Sequence, residues 1–174
     1  MSLENLLKIG QLKEHPPDAR EIQKLLLAAE RNLADARVTS ISLETRFDAA
    51  YKVIMQSALA ALMACGYRPD TNRPGHHMTV IQSLPVTVGL SGARITVLDT
   101  LRRKRNLLDY TGEDMDDGSM ENCIVEADQL LNDVKIWLKA ESQERFIREI
   151  LNGDLIWLKG GRDELGKLIE DRAA

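Results

Sequence analysis

A chain of 174 residues with 44% hydrophobic and 29% charged side chains is long enough for one domain with a packed core, and its composition is that of an ordinary globular protein. The formal net charge of −4 excludes coating of nucleic acid by bulk charge, so any grip on a polyanion must come from a local patch. No run of about 18 apolar residues occurs and the N-terminus lacks a charged-then-apolar leader pattern, so the expectation is a cytoplasmic protein with neither membrane span nor secretion signal.

Leu3, Leu6, Leu7 and Ile9 lie on one helical face, which predicts a short N-terminal helix broken by Gly10. After His15-Pro16-Pro17, Asp18 with Glu21 has the form of a capping box, and Ile22, Leu25, Leu26, Ala29, Leu33 and Ala36 predict a helix to about Val38. Ser42 caps the next helix, whose face reads Phe47, Tyr51, Ile54, Ala58, Ala61, Leu62 and Cys65 before Gly66 and Pro69 stop it. Its many alanines permit close approach of neighbours, so it is expected to be central. Arg68 to Gly75 reads as loop, and His76 to Ser83 as a short helix ended at Pro85. For Val86 to Val88, strand and helix cannot be separated by pattern.

Ser91 or Gly92 opens the next helix and Gly112 closes it. The acidic residues from Asp109 to Glu121 read as a solvated connection, with Ser119 as cap of a long helix carrying Met120, Ile124, Ala127, Leu130, Leu131, Val134, Trp137 and Leu138. In the tail, 141–174, Phe146, Ile147, Ile150 and Leu151 suit a helix ending at Asn152-Gly153, Leu165, Leu168 and Ile169 suit another, and Leu155 to Leu158 between them reads as a short strand or a docking segment; this apolar content suits packing on the bundle or on a partner. The expected fold is all-α: an antiparallel up-and-down bundle of four to five helices over residues 1–140, core 18–140, with a short N-terminal helix and an apolar C-terminal extension.

Within the helix at 92–111, Leu98, Leu101, Arg105 and Leu108 share a stripe, so a stripe that should be apolar carries an arginine. Arg102, Arg103 and Lys104 are expected to fan outward while Arg105 turns in. Arg105 with Asp109 and Asn106 with Tyr110 make neighbouring i,i+4 pairs, and so a compact polar site. Guanidinium, carboxamide and phenol together suit a phosphodiester, with Arg102 and Arg103 as further phosphate contacts; the other reading pairs Arg105 with Asp48 or Asp109 to pin the helices in register.

Cys65 and Cys123 lack metal or redox spacing and suit buried thiols. The run Glu113, Asp114, Asp116 and Asp117 fails the calcium-loop pattern, and Gly160-Gly161 has no nucleotide-loop spacing. No metal and no cofactor is expected.

Arg105-Asn106 followed by Tyr110 near the end of its helix resembles the signature of the HEPN superfamily, small helical bundles of which many are metal-independent endoribonucleases or toxin components. The likeness spans about residues 18–140: the helix at 42–66, the loop with Arg73-Pro74-Gly75-His76-His77, the motif helix and the closing helix at 119–139. Ser2 to Lys13 and Arg73 to His77 also look like those of small bacterial members. The family pattern is an arginine, a short spacer and a histidine. It carries over as Arg105, with Asn106 as the polar residue that follows, and Tyr110 at the histidine position. A phenol of ordinary pKa near 10 is a poor base at neutral pH, so the departure bears on catalysis more than on fold. His76 and His77 would supply the imidazole if their loop folds over the motif helix or a dimer mate presents it; otherwise they are plain helix-start residues. The resemblance implies a homodimer whose motif helices build one basic cleft, an RNA or nucleotide-phosphate ligand, and a nucleotidyltransferase partner in a bacterial two-gene system. The competing class is a noncatalytic scaffold in which Arg105 is structural.

Overall fold

Small polar side chains just ahead of the apolar stripes start the helices. The computed structural model describes residues 2–112 and 114–151, the side chains of 143–151 excepted. Ser2 caps α1 (Leu3–Lys8), accepting the Asn5 amide. Asp18 caps α2 (Ala19–Ala36), its Oδ1 accepting from the amides of Arg20 and Glu21 at 2.7 and 3.1 Å. Only half of the expected capping box forms, because the Glu21 carboxylate goes instead to His15, 2.6 Å from its Nε2. Ser42 caps α3 (Leu43–Ala64).

The fold is an all-α helical bundle with one small ribbon. β1 (Leu12–Glu14) pairs antiparallel with β2 (Tyr67–Pro69) in the register Leu12 to Pro69, Lys13 to Arg68 and Glu14 to Tyr67. The expectation of loop over Arg68 to Gly75 is therefore corrected at Arg68 and Pro69, and Asp70 to Gly75 is turn and loop as expected. Strands this short show no alternation in sequence; α1 packs on β1 and α3 on β2, on either side of the pairing. The bonds His15 N–H to Gly66 O and Asp70 N–H to Gln11 O, each 2.9 Å, extend the ribbon. Beyond it come α4 (His76–Gln82) and α5 (Leu84–Thr87), so the ambiguous stretch is helical where it begins, with Pro85 in the first turn where a missing N–H is tolerated.

The centre of the bundle is α3. Phe47, Ile54, Ala58, Ala61 and Leu62 are fully buried, and α2, β2, α4, α5 and α6 (Gly92–Thr111) all pack on this helix. Its alanines leave room for that many neighbours. Arg46, buried at the start of α3, donates Nε–H to the Ala36 carbonyl at 2.9 Å, satisfying an otherwise orphaned group at the end of α2. Ser91 caps α6, and Gly112 ends it at φ +64, a left-handed conformation that a side chain would strain.

The last helix, α7 (Asp117–Leu151), runs continuously through what the sequence suggested as two helices, one to about residue 139 and one over Phe146–Leu151. Lys139 to Arg145 contain no glycine or proline, so nothing in them stops the helix before Phe146. Asp116 rather than Ser119 caps it, accepting the Ser119 amide at 2.7 Å; its carboxyl is drawn down to about 2 by Ser119 and by Lys104, 3.2 Å away. Met120, Cys123, Ala127, Leu130 and Val134 join the core. Ion pairs fix the helix laterally: Arg37 with Asp128 and Lys135 with Glu30 toward α2, and Arg94 with Glu126 and Asp133 toward α6. The chain divides into two compact units, Met1–Leu138 and Lys139–Ala174. The apolar groups expected at 155–158 and 165–169 lie outside the described residues. No helix among the described residues is long and apolar enough to cross a membrane.

Candidate functional site

The angular step of α6 determines which of its polar groups can meet. Arg102 and Arg105 stand three positions apart, about 60° on the helix wheel, whereas Arg105 and Tyr110 stand five apart, about 140°. The structure follows this arithmetic. Arg102 turns inward, its side chain only 16% exposed, which corrects the expectation that it fans out. Tyr110 points away and is 88% exposed. Asn106 is half-buried, and among the described residues neither it nor Tyr110 makes a side-chain hydrogen bond, so Arg105, Asn106 and Tyr110 do not converge within the chain.

Arg105, with its side chain 31% exposed, is held from three sides. Its guanidinium carbon lies 5.5 Å from the Tyr51 ring centroid, its Nε is 3.6 Å from Asp48 and its Nη1 is 3.4 Å from Asp109. Both carboxylates are about half exposed, so these are long, wet pairs that yield easily to a better anion. Arg102 and Arg103 share one partner, each bonding Asp99 through Nε at 2.8 Å. Burial pushes the Asp99 carboxyl up, but its bonds to Arg102 and the charges of both arginines hold it below the usual value. The Arg103 side chain nevertheless stays 74% exposed.

Opposite Arg105, the structure brings up one of the two histidines. Gly75, at φ +82, turns the chain into α4, which starts with His76 and His77 and brings His77 to α3. His77 Nδ1 lies 3.3 Å from the Tyr51 hydroxyl, and the rings are 5.9 Å apart at 41°. His76 stacks edge-on against His77 at 4.7 Å. Burial lowers the His77 pKa, reinforced by the charges of His76, Arg105 and Arg102, so the imidazole is neutral at pH 7. Tyr51, 2% exposed, is pushed up to about 12 by burial against the opposing pull of Arg105 and Arg102, and stays protonated. Tyr51 thus joins Arg105 to His77. Sequence periodicity marked it only as a core position on α3; its hydroxyl gains a role through packing that no spacing reveals.

This arrangement has a pH signature. Tyr51 and Asp48 face the cluster from α3, His76 from α4, and Asp99, Arg102 and Arg105 from α6. Because folding lowers the His77 pKa below 6.5, the unfolded chain takes up a proton at a pH where the folded chain does not. The contribution to stability is present above pH 6.5 and is lost progressively as pH falls from there through the lowered value of the folded chain. Thermal melts between pH 7.5 and 5 therefore show a falling Tm for the native chain and a shallower fall for His77→Gln; equal slopes would mean that His77 titrates as in an unfolded chain.

Cys123 is buried and its thiol pushed up to about 12 by burial, so it is no nucleophile. Among the described residues, no group of three or more His, Cys, Asp or Glu side chains is placed to hold a metal. A shallow pocket of about 420 Å³ beside the start of α6 is lined by Leu90, Arg94, Asp133, Ile136 and Trp137 among others, away from Arg105. No family model matches this chain, and no curated protein matches it.

Proposed function

We propose that this chain recognises a phosphate group of RNA or of a nucleotide through Arg105, with Arg102 beside it and His77 on the facing helix. The observation that carries the reading is the placement of a partly exposed guanidinium and a neutral imidazole on the same buried tyrosine. Arginine presents forked donors suited to phosphate oxygens, and the half-exposed Asp48 and Asp109 keep it oriented without saturating it. Arg103 is an exposed cation on the same helix, but it stands two positions from Arg105 and so about 160° around α6 from it. The HEPN likeness agrees with this chemistry, with His77 rather than Tyr110 beside the arginine. Tyr110 and Leu107, exposed and three positions apart on α6, form the face on which a second copy would bring its own α6 alongside. A nucleotidyltransferase partner belongs to the same reading by resemblance alone.

The test is retention of a labelled single-stranded oligoribonucleotide in EDTA over a salt series. The native chain is expected to bind, with affinity falling as salt rises; no binding at low salt contradicts the proposal. A second reading is favoured by the carboxylates that flank Arg105: it acts as a register pin between α3 and α6 in a noncatalytic scaffold. On that reading Arg105→Ala loses stability and leaves RNA retention unchanged.

A further inference from the structure

Tyr51 is almost wholly buried, and among the described residues its hydroxyl has one hydrogen-bond partner, Nδ1 of His77. The neighbouring Arg105 and Arg102 offer only N–H donors, so neither can take the phenolic proton. A buried hydroxyl proton without an acceptor is costly, which leaves Nδ1 as its destination. A neutral imidazole whose Nδ1 accepts must carry its own proton on Nε2. Since Nδ1 turns toward the buried phenol, Nε2 is on the ring edge directed away from it.

We infer that Tyr51 is a positioning residue that fixes His77 as an Nε2–H donor, making the Arg105 site one that holds a phosphodiester without cleaving it. This deepens the reading of Arg105 as a phosphate contact and rests on it. A protonated Nε2 cannot accept the proton of an attacking 2′-hydroxyl. Nor can it readily release its own proton to a leaving oxygen, because that would leave an imidazolate unless the Tyr51 proton followed, from a phenol held at about 12. What the ring offers is one neutral hydrogen bond, from Nε2. The ligand class is therefore an RNA phosphodiester that leaves the site chemically intact.

The experiment has two arms on the full chain. In the first, nitrogen-15 NMR of the histidine rings, with His77 assigned by its loss in His77→Gln, reads the tautomer at pH 7.5. The expected result is an Nε2–H form in the native chain that gives way to a mixture in Tyr51→Phe; an Nδ1–H form in the native chain overturns the inference. In the second, a labelled oligoribonucleotide in EDTA is followed for affinity and for cleavage. His77→Phe, which keeps a ring and loses the donor, is expected to bind about three- to tenfold more weakly, while His77→Gln, which restores an N–H, recovers part of that loss. Unchanged affinity in His77→Phe, or native cleavage that disappears in His77→Gln, overturns the inference. Absence of RNA binding by the native chain overturns the Arg105 reading and the recognition role with it, while the tautomer arm still decides whether Tyr51 orients His77.

Discussion

Replacing Arg105 with alanine is expected to weaken binding of a labelled oligoribonucleotide by roughly 10- to 100-fold at moderate salt, the worth of a charge-assisted hydrogen bond to phosphate. The fold should be little affected. The partners of Arg105, Asp48 and Asp109, lie at 3.6 and 3.4 Å and are about half exposed, and such pairs contribute at most about 1 kcal/mol. For a chain of this size that corresponds to a drop in Tm of about 2–4 °C, part of it from the guanidinium leaving the Tyr51 ring. Arg105→Lys should recover only part of the affinity, because an ammonium keeps the charge and loses the fork. Fluorescence anisotropy for binding and a thermal melt for stability separate the two effects. A large loss of Tm with unchanged affinity would identify Arg105 as the register pin.

The second large effect is on stability. Phe47→Ala is expected to destabilise the chain by about 3–5 kcal/mol, the usual cost of removing a buried aromatic side chain and leaving a cavity. Phe47 is fully buried on α3, and its carbonyl lies 3.9 Å from the Cys123 sulfur of α7. A void there removes contacts from the helix on which most of the others pack, so collapse around it cannot be complete. The expected fall in Tm is roughly 6–20 °C, measured by circular dichroism at neutral pH. Tyr110→Ala, although it removes another aromatic ring, should leave Tm nearly unchanged in the isolated chain, because that ring is 88% exposed. A small effect of Phe47→Ala would mean that α3 is not the centre of the core.

The contrast between Phe47 and Tyr110 illustrates what this sequence makes legible. The helices α2, α3 and α6 carry long apolar stripes opened by Asp18, Ser42 and Ser91, and α6 is closed by Gly112, so local rules suffice for them. The ribbon of Leu12–Glu14 with Tyr67–Pro69 is invisible because strands of that length have no measurable period, and the two lie on either side of α2 and α3 in sequence. The extent of α7 was obscured by its polar middle, where good helix formers without an apolar face bridge two stripes.

At the site, helical arithmetic accounts for more than residue type does. Arg105 was identifiable as the polar group on an apolar stripe. The same arithmetic, carried five residues on, separates it from Tyr110 and turns Arg102 inward beside Asp99. The approach of His77 depends on the turn at Gly75 and on how α4 meets α3, which is a tertiary fact. The Tyr51 hydroxyl is further still from sequence reasoning, because an aromatic on a core stripe reads as packing until the group that its polar end reaches is known.

The central claim is that Arg105 and His77 face one bound phosphate. Its most direct measurement is NMR titration of the isotope-labelled native chain with a short oligoribonucleotide in EDTA, observing the Arg105 side-chain Nε–H and the His77 ring together. The account predicts that both signals shift from the first additions and saturate at the same RNA concentration, with the His77 ring remaining neutral. Shifts confined to Arg103 and the exposed end of α6, with Arg105 and His77 unmoved, would contradict it.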